Sequence, residues 1–351
     1  MPTKKIWEKI MVNEKNFDLS RRDALKYFFR IGLALILLRV VTTGIQTAVQ
    51  YIIASISAEL YLSLVNGPWF LLALSIIPLY CAAFPIFYFV LPKPVAAPRV
   101  PKKLTPGDTV ASVLVCFPFL YLGAFAGQAV SDLISSLIGK PILNGLSNIV
   151  DISPMWLVFI CTVIIAPIGE ELIFRKLLID RTAPFGELSA VVFSGLTFGL
   201  FHGNFYQFFY AFFLGCLMGY VYVKTRNIVH SILMHMCVNF FGSVISPLVA
   251  SQKVLDALDK LANDPASAAV EDYLAALPAV VFAFCVIGLI IAGAVIFFIK
   301  VMIFFIDFAK LRFEKAELTV EGGNRLAMFA NPAIIGAFGL MAATFVIAIF
   351  K

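Results

Sequence analysis

Three short segments in the middle of the chain carry ionisable and amide side chains inside otherwise apolar sequence. They are residues 170–175, 198–202 and 235–239. A charge near the centre of a bilayer costs at least about 2.5–3.5 kcal/mol, so a group kept there usually faces a polar cavity and serves a function. Together the segments supply two carboxylates, two of the chain's three histidines and one carboxamide. Such groups can activate a water molecule and stabilise the oxyanion that it forms.

The first segment reads EELIFR and begins with adjacent carboxylates at Glu170 and Glu171. Glu171 and Arg175 are four residues apart, so on a helix they lie side by side and are predicted to pair. Glu170 points about 100° away and is predicted to lack that partner. A carboxylate without a cationic partner, in surroundings with little water, suits a general base. The alternative interpretation is structural, with two acids at the membrane interface beside a basic cytosolic end.

The second segment, FGLFH, lies beside a helix face that has no side chains. Small residues recur there every four positions, and again on the following span, which lets two membrane helices approach closely. These residues are Gly195, Gly199, Gly203, Ala211, Gly215 and Gly219. Phe198 and His202 flank the glycine face, so His202 is predicted to point into the bundle. A histidine at a helix end can also be no more than an interfacial residue.

The third segment, HMCVN, belongs to a polar stripe along one face of a helix. The members of the stripe are Ser231, His235, Asn239 and Ser243. The stripe must face protein or water, because lipid cannot satisfy it. It either builds a site or joins helices, at about 0.6–2 kcal/mol per contact. By helical rise His202 lies deeper than Glu170 and His235, so these groups meet only if the span of His202 is tilted or begins below the surface.

The elements that must position these groups are membrane helices. The chain has 351 residues, of which 61% are hydrophobic and 14% charged, compared with about 25% charged residues in a soluble domain. Apolar runs of roughly twenty residues match the helix length that crosses about 30 Å of hydrocarbon. The composition predicts an all-α integral membrane protein, a polytopic bundle of about eight or nine transmembrane helices. The nine predicted spans are 31–57, 69–91, 109–137, 155–179, 187–203, 205–223, 228–249, 275–306 and 330–350.

Lysine and arginine lie in alternate connecting segments, whereas the longest of the other segments, 251–273, is net acidic. By the positive-inside rule this predicts a multi-pass topology with a cytoplasmic N-terminus. The general character of the chain suggests a bacterial source and therefore a bacterial plasma membrane. The predicted division is a basic cytosolic arm, a two-helix segment with its linker, a catalytic membrane core that holds the three motifs, and a C-terminal two-helix segment. Their bounds are 1–30, 31–108, 109–249 and 250–351. The arm suits either a surface helix on anionic lipid or a solvated tail.

The first span carries a second polar face around Arg39. The face continues through Thr43, Gln46 and Gln50. Asp132 in the third span is the predicted partner of Arg39, and a buried structural pair is favoured over a catalytic one.

Together the three segments resemble the CPBP family of intramembrane proteases, also called the CAAX-protease or Abi family. The family motifs EExxxR, FxxxH and HxxxN match residues 170–175, 198–202 and 235–239, in order and on three separate spans. The resemblance covers residues 155–245, about a quarter of the chain. One departure is Lys176, where many members have glycine, and it touches no predicted catalytic group.

The resemblance implies a CAAX-protease-like core and an endopeptidase that hydrolyses peptide bonds of membrane-associated proteins or peptides. Glu170 would be the general base, and His202 would help to position or activate the water. His235 and Asn239 would stabilise the oxyanion of the tetrahedral intermediate. The full set of implied catalytic residues is Glu170, Glu171, His202, His235 and Asn239, with Arg175 and Phe198 in support.

Three alternatives stay open. A zinc metalloprotease would use Glu170, His202 and His235 as ligands with an open position, but HExxH is absent, and no metal or other cofactor is favoured. A non-catalytic bacteriocin-immunity or scaffold protein would keep the fold without activity, although intact motifs favour the enzyme. A transporter would use the polar stripe as its path. The predicted partners are a membrane-anchored protein or peptide substrate and the lipid bilayer, with no nucleic acid.

Overall fold

The computed structural model describes residues 18–67, 69–95, 101, 103–142, 153–306, 319–320 and 329–350. Most of the predicted basic arm lies outside these residues. The helices are α1 (Arg21–Ile56), α2 (Ala58–Val65), α3 (Phe70–Val90), α4 (Pro106–Ile138), α5 (Met155–Phe185), α6 (Glu187–Phe201), α7 (Phe205–Thr225), α8 (Ile228–Val249), α9 (Gln252–Asn263), α10 (Val270–Ile306) and α11 (Pro332–Phe350). Two short strands, β1 (Asp18–Leu19) and β2 (Thr319–Val320), pair in parallel.

Eight helices in the described part of the chain are long and apolar enough to cross a bilayer. This confirms the predicted class, an all-α polytopic membrane protein. The fifth predicted span corresponds to α6, which is not among the eight. It has 15 residues and a length of about 22 Å, shorter than the roughly 30 Å of hydrocarbon in a bilayer.

Short turns join α5 to α6, α6 to α7 and α7 to α8, which keeps the three motif segments together. After α6 the chain turns at Gly203, whose φ of +67° is a left-handed conformation that glycine adopts without strain. The Asn204 side chain accepts a hydrogen bond from the Gln207 amide at the start of α7. Asn227 accepts one from the Val229 amide at the start of α8. Such caps satisfy backbone donors that have no partner inside the helix.

α6 and α7 pack through their glycines, as the spacing predicts. A Cβ atom added to Gly195 would lie 2.5 Å from the Cys216 sulfur, and one added to Gly215 would lie 2.9 Å from the Cα of Gly195. At Gly199 the added atom would lie 2.9 Å from the carbonyl oxygen of Phe208. The two backbones therefore come closer than any other side chain at these positions would allow.

α1 packs against α3 and α11 and contributes to the largest buried apolar cluster, together with α5 and α6. Phe28 on α1 makes edge contacts with Phe185 and Phe329, at 4.8 and 4.9 Å between ring centres. On the other side of the cluster Phe174 of α5 contacts Phe198 of α6. Helices outside the motif segments thus support the helices that carry the motifs.

α5 is not a uniform α-helix. Residues Phe159–Ile165 and Leu172–Ile179 are π-helical, and the α-helical stretch Ala166–Glu171 lies between them. Glu170 and Glu171 therefore sit at the end of a short α segment between two wider ones. Because π turns change the angular position of later side chains and occur often at functional sites, simple helical periodicity does not describe this segment.

Candidate active site

Glu171 and Arg175 form the ion pair that their spacing predicts. The Arg175 Nε atom lies 3.1 Å from Glu171 Oε2, and both side chains are fully buried. The guanidinium carbon is 4.6 Å from the centre of the Phe198 ring, a favourable cation–π arrangement. The Nη2 atom is 3.7 Å from the Met218 sulfur. Because removing one member would leave an uncompensated buried charge, each partner requires the other.

His235 lies between the two carboxylates. Its Nδ1 atom is 3.0 Å from Glu171 Oε1, and its Nε2 atom is 3.6 Å from Glu170 Oε2. A hydrogen bond from one ring nitrogen fixes the orientation of an imidazole and determines which nitrogen remains for chemistry. The ring thereby links the first motif, on α5, to the third motif, on α8.

Glu170 has different surroundings from its neighbour. Its side chain is 17% exposed, whereas that of Glu171 is 0% exposed. Among the described residues no lysine or arginine pairs with Glu170, in agreement with the predicted lack of the Arg175 partner. The carboxylate is nevertheless not isolated, because it faces the Nε2 atom of His235. Of the two glutamates, Glu170 is the one whose side chain is not fully enclosed by protein.

Phe198 contacts both motif histidines. The centre of its ring lies 4.8 Å from that of His202 and 5.6 Å from that of His235, in edge-to-face geometry. The His202 Nδ1 atom is 2.8 Å from the Phe198 carbonyl oxygen, which leaves Nε2 for other partners. Within the described part of the chain His202 forms no hydrogen bond to Glu170 or Glu171. His202 is held in the cluster by its contacts with the carbonyl oxygen and the ring of Phe198.

The difference in depth expected for His202 is removed by the path of α6. This helix starts from a buried turn, and Glu187 at its beginning is only 2% exposed. Arg175 contacts Phe198, and the short turn before α6 makes the two helices antiparallel. From that contact α5 leads back over five residues to Glu170 and α6 leads on over four residues to His202, or about 7.5 and 6 Å at the α-helical rise. Glu170 and His202 therefore lie at similar depth.

Asn239 connects α8 to the first π-helical segment of α5. Its Nδ2 atom donates a hydrogen bond of 2.8 Å to the carbonyl oxygen of Thr162. A carboxamide has two N–H groups, so this contact uses one and leaves the other. The other members of the predicted stripe, Ser231, His235 and Ser243, are buried. The stripe therefore faces protein, as its composition requires.

Tyr80 on α3 is a contact residue that the sequence does not mark. Its hydroxyl group donates to the Ala166 carbonyl oxygen at 3.2 Å. Its ring lies against Gly169, where an added Cβ atom would overlap the ring. Tyr80 thus packs on the residue immediately before Glu170. In the sequence Tyr80 is one aromatic residue within a long apolar run, and nothing there distinguishes it from a residue that only packs.

The predicted pair between Arg39 and Asp132 is wrong. Asp132 instead accepts a hydrogen bond from Gln128 at 2.9 Å. Arg39 donates from Nη1 to the carbonyl oxygen of Phe201 at 3.0 Å, at the end of the helix that carries His202. The error arises because spacing along one helix shows which face is polar but not which neighbouring helix lies against it.

The alternative metal ligands do not form a ligand set in the described residues. No group of three or more histidine, cysteine, aspartate or glutamate side chains there is arranged to hold a metal ion. His235 uses Nδ1 for Glu171, and the Nδ1 atom of His202 faces the Phe198 carbonyl. Both rings keep Nε2 for another partner, which is how metal-ligating histidines are usually held, so zinc ligation by Glu170, His202 and His235 stays an alternative.

A separate cavity of about 540 Å³ lies between α4, α6, α7 and α10. Its walls are mostly apolar, with Asp108, Lys224 and Lys300 among the lining residues. The motif residues are not part of its lining. The cluster around Glu170 and the cavity are therefore different features of the molecule.

The fold and the cluster define a polytopic helical membrane protein that gathers carboxylates, imidazoles and an amide within its bundle. The family model described as type II CAAX prenyl endopeptidase Rce1-like matches residues 152–241, which include all three motifs. This segment is therefore similar to the Rce1-like family, and the resemblance to CAAX proteases is confirmed. The match indicates a CAAX-type endopeptidase. No curated protein and no solved structure matches the chain.

Proposed function

We propose that the protein is an intramembrane endopeptidase that uses Glu170 to activate a water molecule. The observation that carries the proposal is the arrangement of His235 between an accessible carboxylate, Glu170, and a fully buried one, Glu171. Arg175 neutralises Glu171 and so holds the carboxylate that bonds to Nδ1 of His235. Its substrates are proteins or peptides associated with the membrane, as the membrane helices and the family match suggest.

In the proposed reaction Glu170 takes a proton from water while the water oxygen bonds to the carbonyl carbon of the peptide. The carbonyl oxygen becomes an oxyanion. When the tetrahedral intermediate collapses, the carbon–nitrogen bond breaks and Glu170 returns the proton to the leaving amine. The products are a carboxylic acid and an amine. His202 orients the water from the neighbouring helix.

The oxyanion is assigned to His235 and Asn239. The Nδ1 atom of His235 is bonded to Glu171. A hydrogen bond from His235 to the oxyanion must therefore come from an N–H group at Nε2. Asn239 has one N–H group besides the one that binds the Thr162 carbonyl. Donors fixed in advance and shielded from water are effective at stabilising developing charge.

The test is cleavage of a membrane-anchored reporter peptide by purified protein. Glu170→Gln keeps the size of the side chain but cannot accept the proton, so cleavage should fall to background. Glu59→Gln is the matched control, because Glu59 is an exposed carboxylate on α2, away from the motifs. Unchanged cleavage by the Glu170 variant, or equal loss in both variants, would contradict the proposal.

Metal dependence is measured on the same preparations. The proposal expects activity that does not follow zinc content and that survives chelation. Zinc bound in stoichiometric amount, with loss of activity on removal and recovery on addition, would favour the metalloprotease instead. A non-catalytic membrane factor or a transporter would show no cleavage and no effect of Glu170→Gln on its cellular role.

The orientation proposed for the chain follows from charge alone. Basic residues on alternate segments support a cytoplasmic N-terminus. A bacterial plasma membrane is the proposed location.

A further inference from the structure

Arg39 places a guanidinium group well inside a candidate membrane span. Arg30 on the same helix donates to the carbonyl oxygens of Val90 and Leu91. Arg39 is nine residues further along α1, or about 13 Å. An ionisable side chain at such a depth is costly and marks a functional site where it is kept.

Among the described residues, the contacts of the Arg39 guanidinium lie at the end of α6 and in the turn that follows it. Its Nη1 atom donates to the Phe201 carbonyl at 3.0 Å, and its guanidinium carbon lies 5.4 Å from the centre of the Phe201 ring. A Cβ atom added to Gly203 would lie 2.8 Å from its Nη2 atom. Phe201 and Gly203 are the neighbours of His202 in sequence, so the guanidinium group lies beside that histidine.

Within the described part of the chain, these contacts leave the charge of Arg39 without an anion. Among the described residues no aspartate or glutamate lies within ion-pair distance of it, and its Nε atom is buried without a hydrogen-bond partner. A buried donor without a partner is unfavourable. The planar fork of an arginine matches a carboxylate in a two-point contact, so the missing partner has a defined chemistry.

We propose that Arg39 binds a carboxylate of the bound peptide, on the His202 side of the site. The inference rests on the proposed endopeptidase function and adds a substrate class, namely peptides that carry a carboxylate near the scissile bond. The carboxylate is either the C-terminus of the peptide or an acidic side chain. α1 lies outside the segment 152–241 matched by the family model, so the match assigns no role to Arg39.

The test compares three lipid-anchored synthetic peptides with the same sequence around the cleaved bond. One ends in a free acid, one in an amide, and one in an amide preceded by an added aspartate. The full-length protein in lipid nanodiscs should cleave at least one of the two carboxylate peptides with a kcat/KM about tenfold or more above that of the plain amide, as expected for a charge-assisted pair. Whichever carboxylate is preferred identifies its source.

Arg39→Gln should reduce this ratio to about one, whereas Arg39→Lys should keep part of it because the charge remains. Arg30→Gln is the matched control. Arg30 lies on the same helix, nine residues before Arg39, and binds the backbone carbonyls of Val90 and Leu91. It should leave the ratio as in the wild type. A ratio preserved in Arg39→Gln, with all peptides slowed equally, would show that Arg39 only holds the end of α6 and would overturn the proposal.

Binding measurements separate this inference from the proposed function. The three peptides are titrated against wild-type protein and against Glu170→Gln. Tighter binding of a carboxylate peptide than of the amide, lost in Arg39→Gln, supports the inference even if no cleavage is seen. Equal affinity for all three peptides in the wild type overturns it, whether or not the enzyme cleaves them. If Arg39→Gln does not fold, the proposal is tested by the preference of the wild-type protein for carboxylate peptides and by its partial retention in Arg39→Lys.

Discussion

At the level of single residues, the adjacent glutamates have environments that predict opposite effects of substitution. Glu171 is fully buried and is bonded to both Arg175 and His235. The Glu170 side chain is 17% exposed, and its Oε2 atom faces the second nitrogen of His235. Stability should therefore depend on Glu171, and catalysis on Glu170.

Glu171→Gln should destabilise the protein by about 3–5 kcal/mol, because it leaves the guanidinium of Arg175 buried without a counter-charge. The measurement is the free energy of unfolding in detergent. The control, Glu59→Gln, is exposed and should change it by no more than about 0.5 kcal/mol. Adding Arg175→Met to Glu171→Gln should recover part of the loss, and a double variant as unstable as the sum of both single changes would contradict this explanation.

Asn239→Ala should lower kcat about 10²–10³-fold if the free N–H group of the amide stabilises the oxyanion. KM should change little, since that interaction forms mainly in the transition state. Steady-state kinetics on a reporter peptide measure both constants. A raised KM at unchanged kcat would mean that Asn239 acts in binding, and an unchanged rate would limit it to the contact with Thr162.

At the level of elements, the close packing of α6 on α7 fixes the positions of Phe198 and His202. Gly195→Ala should displace these helices, because the new Cβ atom would meet the Cys216 sulfur and backbone. We expect activity to fall more than tenfold with a lower melting temperature, since overpacking commonly costs about 1–3 kcal/mol. Gly44→Ala is the control, because nothing lies within 4 Å of the added atom, and equal effects of both changes would exclude the packing explanation.

Helical spacing was sufficient for the features that depend on one helix or on two helices with complementary faces. It predicted the pairing of Glu171 with Arg175 and the glycine contact of α6 with α7. It did not predict that His235 bonds Glu171 and faces Glu170, because that depends on how α5 and α8 pack against each other. The π-helical segments beside Glu170 add a second reason, since they break the period on which such predictions rest.

The partner of Arg39 shows the same limit. The polar face of α1 was evident from the sequence, but the contact to Phe201 requires knowing that α1 lies against the end of α6. Tyr80 could not be predicted at all, because its role depends on a glycine in another helix. Residue types reveal candidate chemistry, whereas contacts between distant helices come only from the fold.

At the level of the whole molecule, the alternation of basic and acidic segments predicts the sides of the membrane. In a cysteine-free background, Ser267→Cys, in the turn between α9 and α10, should react with a membrane-impermeant maleimide added outside the cell. Lys103→Cys, just before α4, should react only after the membrane is made permeable. Both positions are exposed, so the reverse labelling pattern would mean that the chain has the opposite orientation.

The central claim is that Glu170 activates the water that cleaves a peptide bond, and isotopically labelled water tests it most directly. The wild-type protein, incubated in heavy-oxygen water with a membrane-anchored peptide, should release a fragment whose new carboxyl group contains a heavy oxygen atom, detected by mass spectrometry. Glu170→Gln, folded to the same extent, should release none. Labelled product from the Glu170→Gln variant at the wild-type rate would contradict the account.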